Sequence, residues 1–319
     1  MNFSTVSVPG KIFLMGEHSV VYGKPAILSA INRRVYVRVA IADNGKHEIE
    51  SGDNQFIGNV LELTAEHLKI KTLPYLKVII TSQLKKGYHL GSSAAVAAAT
   101  IAAVLYHLKK IWNPELVNQL AYSAEKAKHG LPSGADNTAC VFGGLIWYRN
   151  ELSYLKSIWQ LSLKSELLNN FYLVDSGKGE ESTKDMVAMV KKRYLDNKQL
   201  YQRLFISNEE AVRNIAESLK NGNENALIQA IRKGSFTLKK MGVVSPMAAD
   251  LIDTFESSGG AAKILGGGGR KKSVGYLLIY HKDKKILKDI SASCGFSIEA
   301  VRLGEEGMRL EKGTGDTNQ

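Results

Sequence analysis

A glycine- and serine-containing segment at residues 87–95 has the residue types that bind phosphate. It reads Gly87-Tyr88-His89-Leu90-Gly91-Ser92-Ser93-Ala94-Ala95 and leads into an alanine-rich run. The N–H groups and the dipole at a helix N-terminus favour an anion, and small residues let a ligand approach the backbone. Serine hydroxyls at that point either cap the helix or reach a Mg²⁺ ion. A plain capped helix after a turn explains the same residues, because Gly-Ser caps are common.

Two acidic residues, Glu125 and Asp136, form a second candidate group. Glu125 lies on the apolar stripe of a predicted helix, where a carboxylate needs a metal or a cation as its partner. Asp136 follows in the Gly- and Pro-punctuated loop 129–137, which holds its side chain on rigid backbone. The plainer alternatives are an acid that reaches solvent or pairs with Lys126 or Lys128, and an aspartate of an Asx-turn.

Polar residues also interrupt an apolar stretch near the N-terminus. Lys11 follows Pro9-Gly10 within an apolar strand pattern, and Glu17-His18 follow Gly16. Taken alone, these are a strand-edge lysine with its amine in water and a polar turn. These residue types also suit charge neutralisation and hydrogen bonding at a ligand site. Their spacing alone does not decide between a structural and a functional role.

Composition and length limit the class of protein. Hydrophobic residues make up 44% and charged residues 23% of the 319-residue chain, which is an ordinary globular balance. The length favours two domains. No stretch approaches the roughly 18–20 uncharged apolar residues of a membrane span, and residues 1–13 do not resemble a signal peptide. Cys140 and Cys294 form neither a disulfide framework nor a metal motif, so we expect a cytoplasmic protein. Because no membrane span is found in the sequence, we expect no membrane partner.

The net charge of +11 favours anionic ligands. The tightest basic clusters, at residues 270–272 and 282–285, are short and lack interleaved aromatic residues. A nucleic-acid partner is therefore not expected, whereas nucleotides and acidic metabolites fit the charge.

Periodicity and punctuation predict the elements that position these groups. In the first half they predict a strand at 4–15 broken at Pro9-Gly10, a strand at 35–41, a helix at 59–69, a strand at 76–82, a buried helix from a Ser92-Ser93 cap to about Tyr106, and a helix from Asn113 to Gly130. In the second half they predict a strand at 171–175, helices from Thr183 to Phe255, a strand at 274–280, a helix at 283–293 and a strand at 296–303.

Three motifs resemble those of the GHMP kinases in their usual order. Residues 8–27, VPGKIFLMGEHSVVYGKPAI, resemble the first motif, the L-G-S-S-A-A loop the second, and the Gly-rich segment 263–269 the third. The G-E-H-x-V-V-Y-G pattern at 16–23 and the H-G-x-P-S-G-x-D-N pattern at 129–137 are most similar to the mevalonate kinases within that superfamily.

The resemblance implies a fold and a reaction. The fold is α+β with two domains: a ribosomal-protein-like α/β ATP-binding domain at 1–168 and a ferredoxin-like domain at 169–319. The reaction is ATP-dependent phosphorylation of mevalonate to 5-phosphomevalonate, in isoprenoid biosynthesis, with Mg²⁺ as cofactor. The implied partners are the small molecules ATP and mevalonate, with a homodimer as the candidate assembly.

The resemblance also implies roles for individual residues. Asp136 matches the catalytic base and Lys11 the lysine paired with it. Ser93 and Glu125 match the Mg²⁺ ligands. The matched positions for the ATP phosphates are Gly87, His89, Leu90, Gly91, Ser92, Ser93 and Ala94. The matched positions for the acceptor are Glu17, His18, Ser133 and Thr183.

Two departures from the family motifs keep alternatives open. The second motif usually has glycine where this chain has His89, and the third lacks its usual threonine and is one residue shorter. Arg270 to Lys272 are candidates to supply positive charge there. The alternatives are a GHMP kinase for phosphomevalonate, shikimate or homoserine, a mevalonate-diphosphate decarboxylase, and a non-catalytic binding protein.

Overall fold

The computed structural model describes residues 3–129, 132–152, 155–163 and 165–312. The strands in these ranges are β1 (Ser4–Met15), β2 (Ala26–Ile41), β3 (Glu48–Glu50), β4 (Leu76–Ser82), β5 (Leu145–Asn150), β6 (Lys156–Gln160), β7 (Phe171–Asp175), β8 (Ala261–Ile264), β9 (Tyr276–Tyr280), β10 (Ile298–Ala300) and β11 (Arg309–Glu311). The α-helices are α1 (Asn54–His67), α2 (Ser92–Lys109), α3 (Pro114–His129), α4 (Ala135–Phe142), α5 (Thr183–Asp196), α6 (Lys198–Asn221), α7 (Glu224–Met241), α8 (Pro246–Ser257) and α9 (Lys284–Cys294). Short 3₁₀ helices lie at Ser19–Tyr22 and Glu166–Asn170.

The first sheet is built on the long antiparallel pair β1 and β2. It has seven strands in the order β11-β1-β2-β4-β3, with β5 also paired to β2 and β6 to β5. Strand β1 is continuous, so the predicted break at Pro9-Gly10 is wrong. Its register against β2 shifts between Pro9 and Lys11, a β-bulge at the point where proline lacks an N–H to donate. The bulge changes the direction of the side chains that follow, beginning with Lys11.

Helix α2 is the core helix that packs on this sheet. Its alanines are almost fully buried against β1 and β2, because their small side chains let helix and sheet approach closely. By length and composition α2 is apolar enough to cross a membrane, so the expectation that no stretch approaches a membrane span is wrong for this segment. In this fold most of the helix is buried within the protein. The helix begins after Gly91 and has no side-chain cap, so the predicted Ser92 cap is wrong.

The second sheet has four antiparallel strands in the order β10-β7-β9-β8. Helices α5 to α8 lie between β7 and β8 in the chain, and α9 joins β9 to β10. This β-helix-β-β-helix-β order is that of a split βαβ domain. The chain then returns to the first sheet, where β11 pairs with β1 through Thr5 and Glu311. The division at 168/169 stays a prediction, and β11 lies on the first sheet although it follows that division.

Most predicted elements form, with some changes of boundary. The strands predicted at 76–82 and 171–175 are β4 and β7, and the helix predicted from Asn113 is α3, which ends at His129. Gly130, its predicted terminator, lies outside the described residues. The helix predicted at 59–69 begins earlier, at Asn54, because Asp53 accepts a hydrogen bond from the Phe56 N–H as its cap. The last predicted strand shortens to Ile298–Ala300.

Candidate active site

A lysine and an aspartate from different elements meet beside the loop at 87–93. Lys11 follows the bulge in β1 and is buried, with 2% of its surface exposed. Asp136 lies in the first turn of α4, and its Oδ2 is 3.0 Å from the Lys11 Nζ. The Asp136 side chain is 39% exposed, so one end of this ion pair is open to a ligand. The pair predicted from the sequence is therefore present.

The loop at 87–93 is anchored to the same strand. The Lys11 N–H donates to the Leu90 carbonyl at 2.9 Å, and the Lys11 Nζ lies 3.4 Å from the His89 carbonyl. Leu90 is itself buried in the core. Gly91 has a φ of 74°, and a Cβ there would come within 2.8 Å of the Lys11 Cγ. Glycine is thus required at the point where the loop turns into α2.

The N-terminus of α2 offers backbone donors to an anion. Gly91 precedes the helix, and no side chain caps the first turn, which contains Ser92, Ser93 and Ala94. The first N–H groups of a helix have no partner within it, and the helix dipole adds partial positive charge there. This end of α2 lies next to Lys11, so both features favour binding of phosphate at one place.

Ser93 and Glu125 bring two oxygen donors together at the start of α2. The Ser93 hydroxyl donates to Oε1 of Glu125 at 2.5 Å, and Glu125 is buried on α3. A carboxylate and a hydroxyl are hard oxygen ligands, which Mg²⁺ prefers. Burial raises the pKa of the Cys140 thiol, and the nearby carboxylates of Asp136 and Glu125 raise it further. Both acids therefore lie within electrostatic range of one thiol.

Glu17 forms a buried ion pair that the sequence did not predict. Its carboxylate contacts the Nζ of Lys263 on β8, which also donates to the carbonyls of Phe13 and Ile264 at 3.2 and 2.7 Å. Lys263 is 0% and Glu17 2% exposed. Burial raises the pKa of Glu17, an effect that the Lys263 charge opposes. The other carboxylate oxygen, Oε2, has no hydrogen-bond partner among the described residues, so it is available to a ligand.

His18 is held in one tautomer beside Glu17. Its Nε2 lies 3.1 Å from the Gly267 carbonyl, so Nε2 carries the proton and donates. Burial lowers the pKa of His18 to about 4, so the ring is neutral at pH 7. The buried Nδ1 has no partner among the residues described and is left as an acceptor. Together with Glu17 Oε2, it suits the hydroxyl groups of an acceptor molecule.

The two remaining predicted acceptor residues lie in different settings. Thr183 is the first residue of α5, and its hydroxyl is 3.3 Å from Nδ1 of His89, on the loop at 87–93. The Ser133 hydroxyl accepts from the Ala135 N–H at 3.2 Å, in the turn that leads to Asp136. Thr183 therefore faces the loop, whereas Ser133 shapes the start of α4.

Two lysines near the site were missed as candidates. Lys263 stands in an apolar strand at the start of the third motif, and that was the available signal. Lys178 has no such signal, yet its side chain crosses Gly87, where an added Cβ would meet the Lys178 Cε at 3.1 Å. In the cluster at 270–272, Lys271 pairs with Glu180 at 3.1 Å.

Comparison with known proteins agrees with this geometry. The model of the GHMP kinases N terminal domain matches residues 55–144. The chain is 31% identical to the mevalonate kinase of Pyrococcus abyssi, with 96% of this chain and 97% of the relative covered. It is 25% identical to human mevalonate kinase, over 97% of this chain and 95% of that protein.

A solved structure shows the same fold. The crystal structure of L. major mevalonate kinase in complex with R-mevalonate has a TM-score of 0.80 and 24% sequence identity, and covers 94% of this chain and 96% of that one. The predicted α+β fold is confirmed by this similarity. The sequence relatives extend over nearly the whole chain, and the chain therefore belongs to the mevalonate kinase family of the GHMP kinases.

Proposed function

We propose that this chain transfers the γ-phosphoryl group of ATP to the primary hydroxyl of mevalonate, giving 5-phosphomevalonate and ADP. The observation that carries the proposal is the Lys11–Asp136 ion pair, 3.0 Å long and open on the aspartate side, next to the uncapped start of α2. The relatives named above are mevalonate kinases, and this arrangement supplies the parts that phosphoryl transfer needs.

The nucleotide end of the site is formed by the loop and the start of α2. The backbone N–H groups after Gly91 would hold the phosphates, which adds to the charge attraction of Lys11. Ser93 and Glu125 would hold Mg²⁺, which neutralises phosphate charge when it is bound. The Ser93 and Glu125 oxygens already lie 2.5 Å apart, so both are placed to ligate one ion.

The acceptor end is formed by Asp136, Lys11 and the pair Glu17-His18, together with Thr183, whose position matches an acceptor contact in the related motif. A primary alcohol is a weak nucleophile at pH 7, so a base within hydrogen-bond reach assists the transfer. Asp136 Oδ1 and Oδ2 are acceptors for that proton, and the Lys11 ammonium stabilises the developing alkoxide oxygen. Glu17 Oε2 and His18 Nδ1 would accept hydrogen bonds from the acceptor and orient it for in-line attack.

The domain division, the cellular location, the pathway and the assembly are part of the proposal as well. A division into domains at 168/169, a cytoplasmic location, a role in isoprenoid biosynthesis and a homodimer are all expected of such an enzyme. An ion pair between Glu17, in the turn after β1, and Lys263 on β8 joins the two halves of the chain near the site.

A coupled assay of ADP release tests the proposal with a panel of acceptors. The panel contains mevalonate, 5-phosphomevalonate, shikimate and homoserine, and CO₂ release from mevalonate diphosphate is measured in parallel. We expect turnover with mevalonate that is at least about tenfold faster, by kcat/KM, than with any other acceptor. Turnover with another acceptor only, or CO₂ release, would remove mevalonate as the substrate.

A further inference from the structure

His89 has a backbone conformation that side chains rarely adopt. Its φ is 62°, in the left-handed region, where glycine is favoured and where the related motif has glycine. The chain nevertheless has a histidine there, half-buried on the loop at 87–93. A strained conformation at a ligand-binding loop persists only when the surrounding structure fixes it, so the contacts of the ring are informative.

The imidazole of His89 fits between two glycines of the second half of the chain. A Cβ on Gly266 would come within 2.5 Å of the His89 Cβ, and a Cβ on Gly275 within 3.3 Å of the His89 Cδ2. The ring therefore occupies space that only glycines leave free. It connects the loop at 87–93, which belongs to the first half of the fold, to the Gly-rich segment after β8.

The same ring reaches Thr183 at the start of α5. Nδ1 of His89 is 3.3 Å from the Thr183 hydroxyl. On the other side, Thr183 lies against Gly267, where an added Cβ would meet the Thr183 Cα at 3.2 Å. The exposed Thr183 side chain thus lies next to both the imidazole and the Gly-rich segment, and a displacement of His89 removes the hydrogen-bond partner of its hydroxyl.

The contact between His89 and Thr183 is a neutral hydrogen bond. Burial and the nearby Lys11 charge lower the pKa of His89 to about 4, so the ring is uncharged at pH 7. The His89 carbonyl meanwhile lies 3.4 Å from the Lys11 Nζ. One residue therefore touches Lys11 through its backbone and Thr183 through its side chain.

We propose that His89 is a positioning residue that couples nucleotide occupancy of the loop at 87–93 to acceptor binding at Thr183. Phosphates bound at the start of α2 fix the backbone of the loop and so the position of the His89 ring. The hydrogen bond from the ring then fixes the orientation of the Thr183 hydroxyl. The proposal rests on the proposed function for the identity of the acceptor, but not for the contact itself. This coupling is the ratio of the acceptor affinities measured with and without bound nucleotide.

Isothermal titration calorimetry of mevalonate, with and without a non-hydrolysable ATP analogue and Mg²⁺, measures the coupling. For the unchanged protein we expect the analogue to tighten mevalonate binding by about fivefold or more, within the usual range of coupling between sites. His89→Gly should reduce this ratio to within about twofold of one, and Thr183→Val should do the same. The double variant should show no further loss, because both changes break one contact.

Two further variants separate positioning from general folding effects. His89→Asn tolerates a left-handed φ and keeps a hydrogen-bonding side chain, so it should restore part of the coupling. Lys69→Gly is the control, because Lys69 is exposed and also has a left-handed φ, of 52°, far along the chain from the loop. Its coupling ratio should equal that of the unchanged protein.

A readout without an acceptor keeps this test independent of the proposed function. With ¹³C-methyl threonine, the Thr183 resonance should shift when the ATP analogue binds, and His89→Gly should abolish that shift. The Thr254 resonance, from α8, serves as an internal control. A ratio near one in the unchanged protein, or full coupling and an unchanged Thr183 shift in His89→Gly, overturns the proposal. Failure of mevalonate to bind, with the Thr183 shift intact, would count against the proposed function and not against the role of His89.

Discussion

The Lys263–Glu17 ion pair gives a sharp prediction, because both side chains are almost completely buried. Lys263 is 0% and Glu17 2% exposed, and the pair joins β8 to the segment after β1. Removing one partner of a buried ion pair leaves an uncompensated charge and destabilises a protein by about 3–5 kcal/mol. We therefore expect Lys263→Met to lower the free energy of unfolding by about that amount at pH 7.

The partners of each residue predict an asymmetry between the two single variants. Lys263 keeps the carbonyls of Phe13 and Ile264 as acceptors when the carboxylate is removed. In Glu17, by contrast, Oε1 loses Lys263 when the lysine is removed, and Oε2 has no hydrogen-bond partner among the described residues. Glu17→Gln should therefore be less damaging than Lys263→Met. The double variant should be more stable than Lys263→Met alone, by about 1–3 kcal/mol, because no buried charge is left unpaired.

Urea denaturation followed by circular dichroism measures these differences. Lys233→Met is the matched control, because Lys233 pairs with Glu210 on the surface, with side chains 43% and 53% exposed, and such pairs contribute about 0–1 kcal/mol. Burial raises the pKa of Glu17. The Lys263 charge opposes that effect, so in Lys263→Met the pKa of Glu17 rises further. The deficit relative to the unchanged protein should therefore grow as the pH rises through the Glu17 pKa of the unchanged protein. A deficit under about 1 kcal/mol that does not vary with pH would show that the Lys263–Glu17 pair contributes no more than a surface pair.

Three further predictions concern the site itself. Asp136→Ala should lower kcat by at least about 10² and leave the Kd for ATP nearly unchanged, and equal turnover would remove Asp136 as the base. Ser93→Ala should raise the Mg²⁺ concentration for half-maximal activity, and an unchanged Mg²⁺ titration would remove Ser93 as a ligand. The pKa of His18 is lowered to about 4 in the folded protein, so as the pH falls this histidine is protonated in the unfolded chain before it is protonated in the folded one. The free energy of unfolding therefore decreases as the pH falls from about 6.5 towards 4. By pH 5 the loss is about 2 kcal/mol, and urea denaturation of His18→Asn should show a correspondingly smaller decline between pH 7 and pH 5.

The sequence predicted the chemistry better than the surroundings of each group. Lys11, Ser93, Glu125 and Asp136 were identified from local motifs; Lys11 pairs with Asp136 and Ser93 with Glu125, while their roles stay predictions. Motifs carry this information because binding to phosphate needs short, fixed patterns of small and polar residues at a helix start. The partners of Glu17 and of His89 depend on contacts between distant segments, and no local pattern encodes those contacts.

The errors in the fold have the same origin. The break at Pro9-Gly10 followed from the rule that proline disturbs a strand, but pairing with β2 on both sides of the bulge keeps β1 continuous. The Ser92 cap followed from serine's preference, but Gly91 takes the left-handed position before α2 and leaves the N–H groups without a side-chain partner. Strands β5, β6 and β8 were not predicted. They are short, and the alternation of apolar and polar residues in each is too weak to identify a strand from the sequence.

A crystal structure with Mg²⁺, mevalonate and a non-hydrolysable ATP analogue tests the central claim most directly. We expect the phosphates to lie on the backbone N–H groups that follow Gly91, and the primary hydroxyl to lie within about 3 Å of an Asp136 carboxylate oxygen. Phosphates bound away from the start of α2, or a hydroxyl out of hydrogen-bond reach of both Asp136 and Lys11, would contradict it.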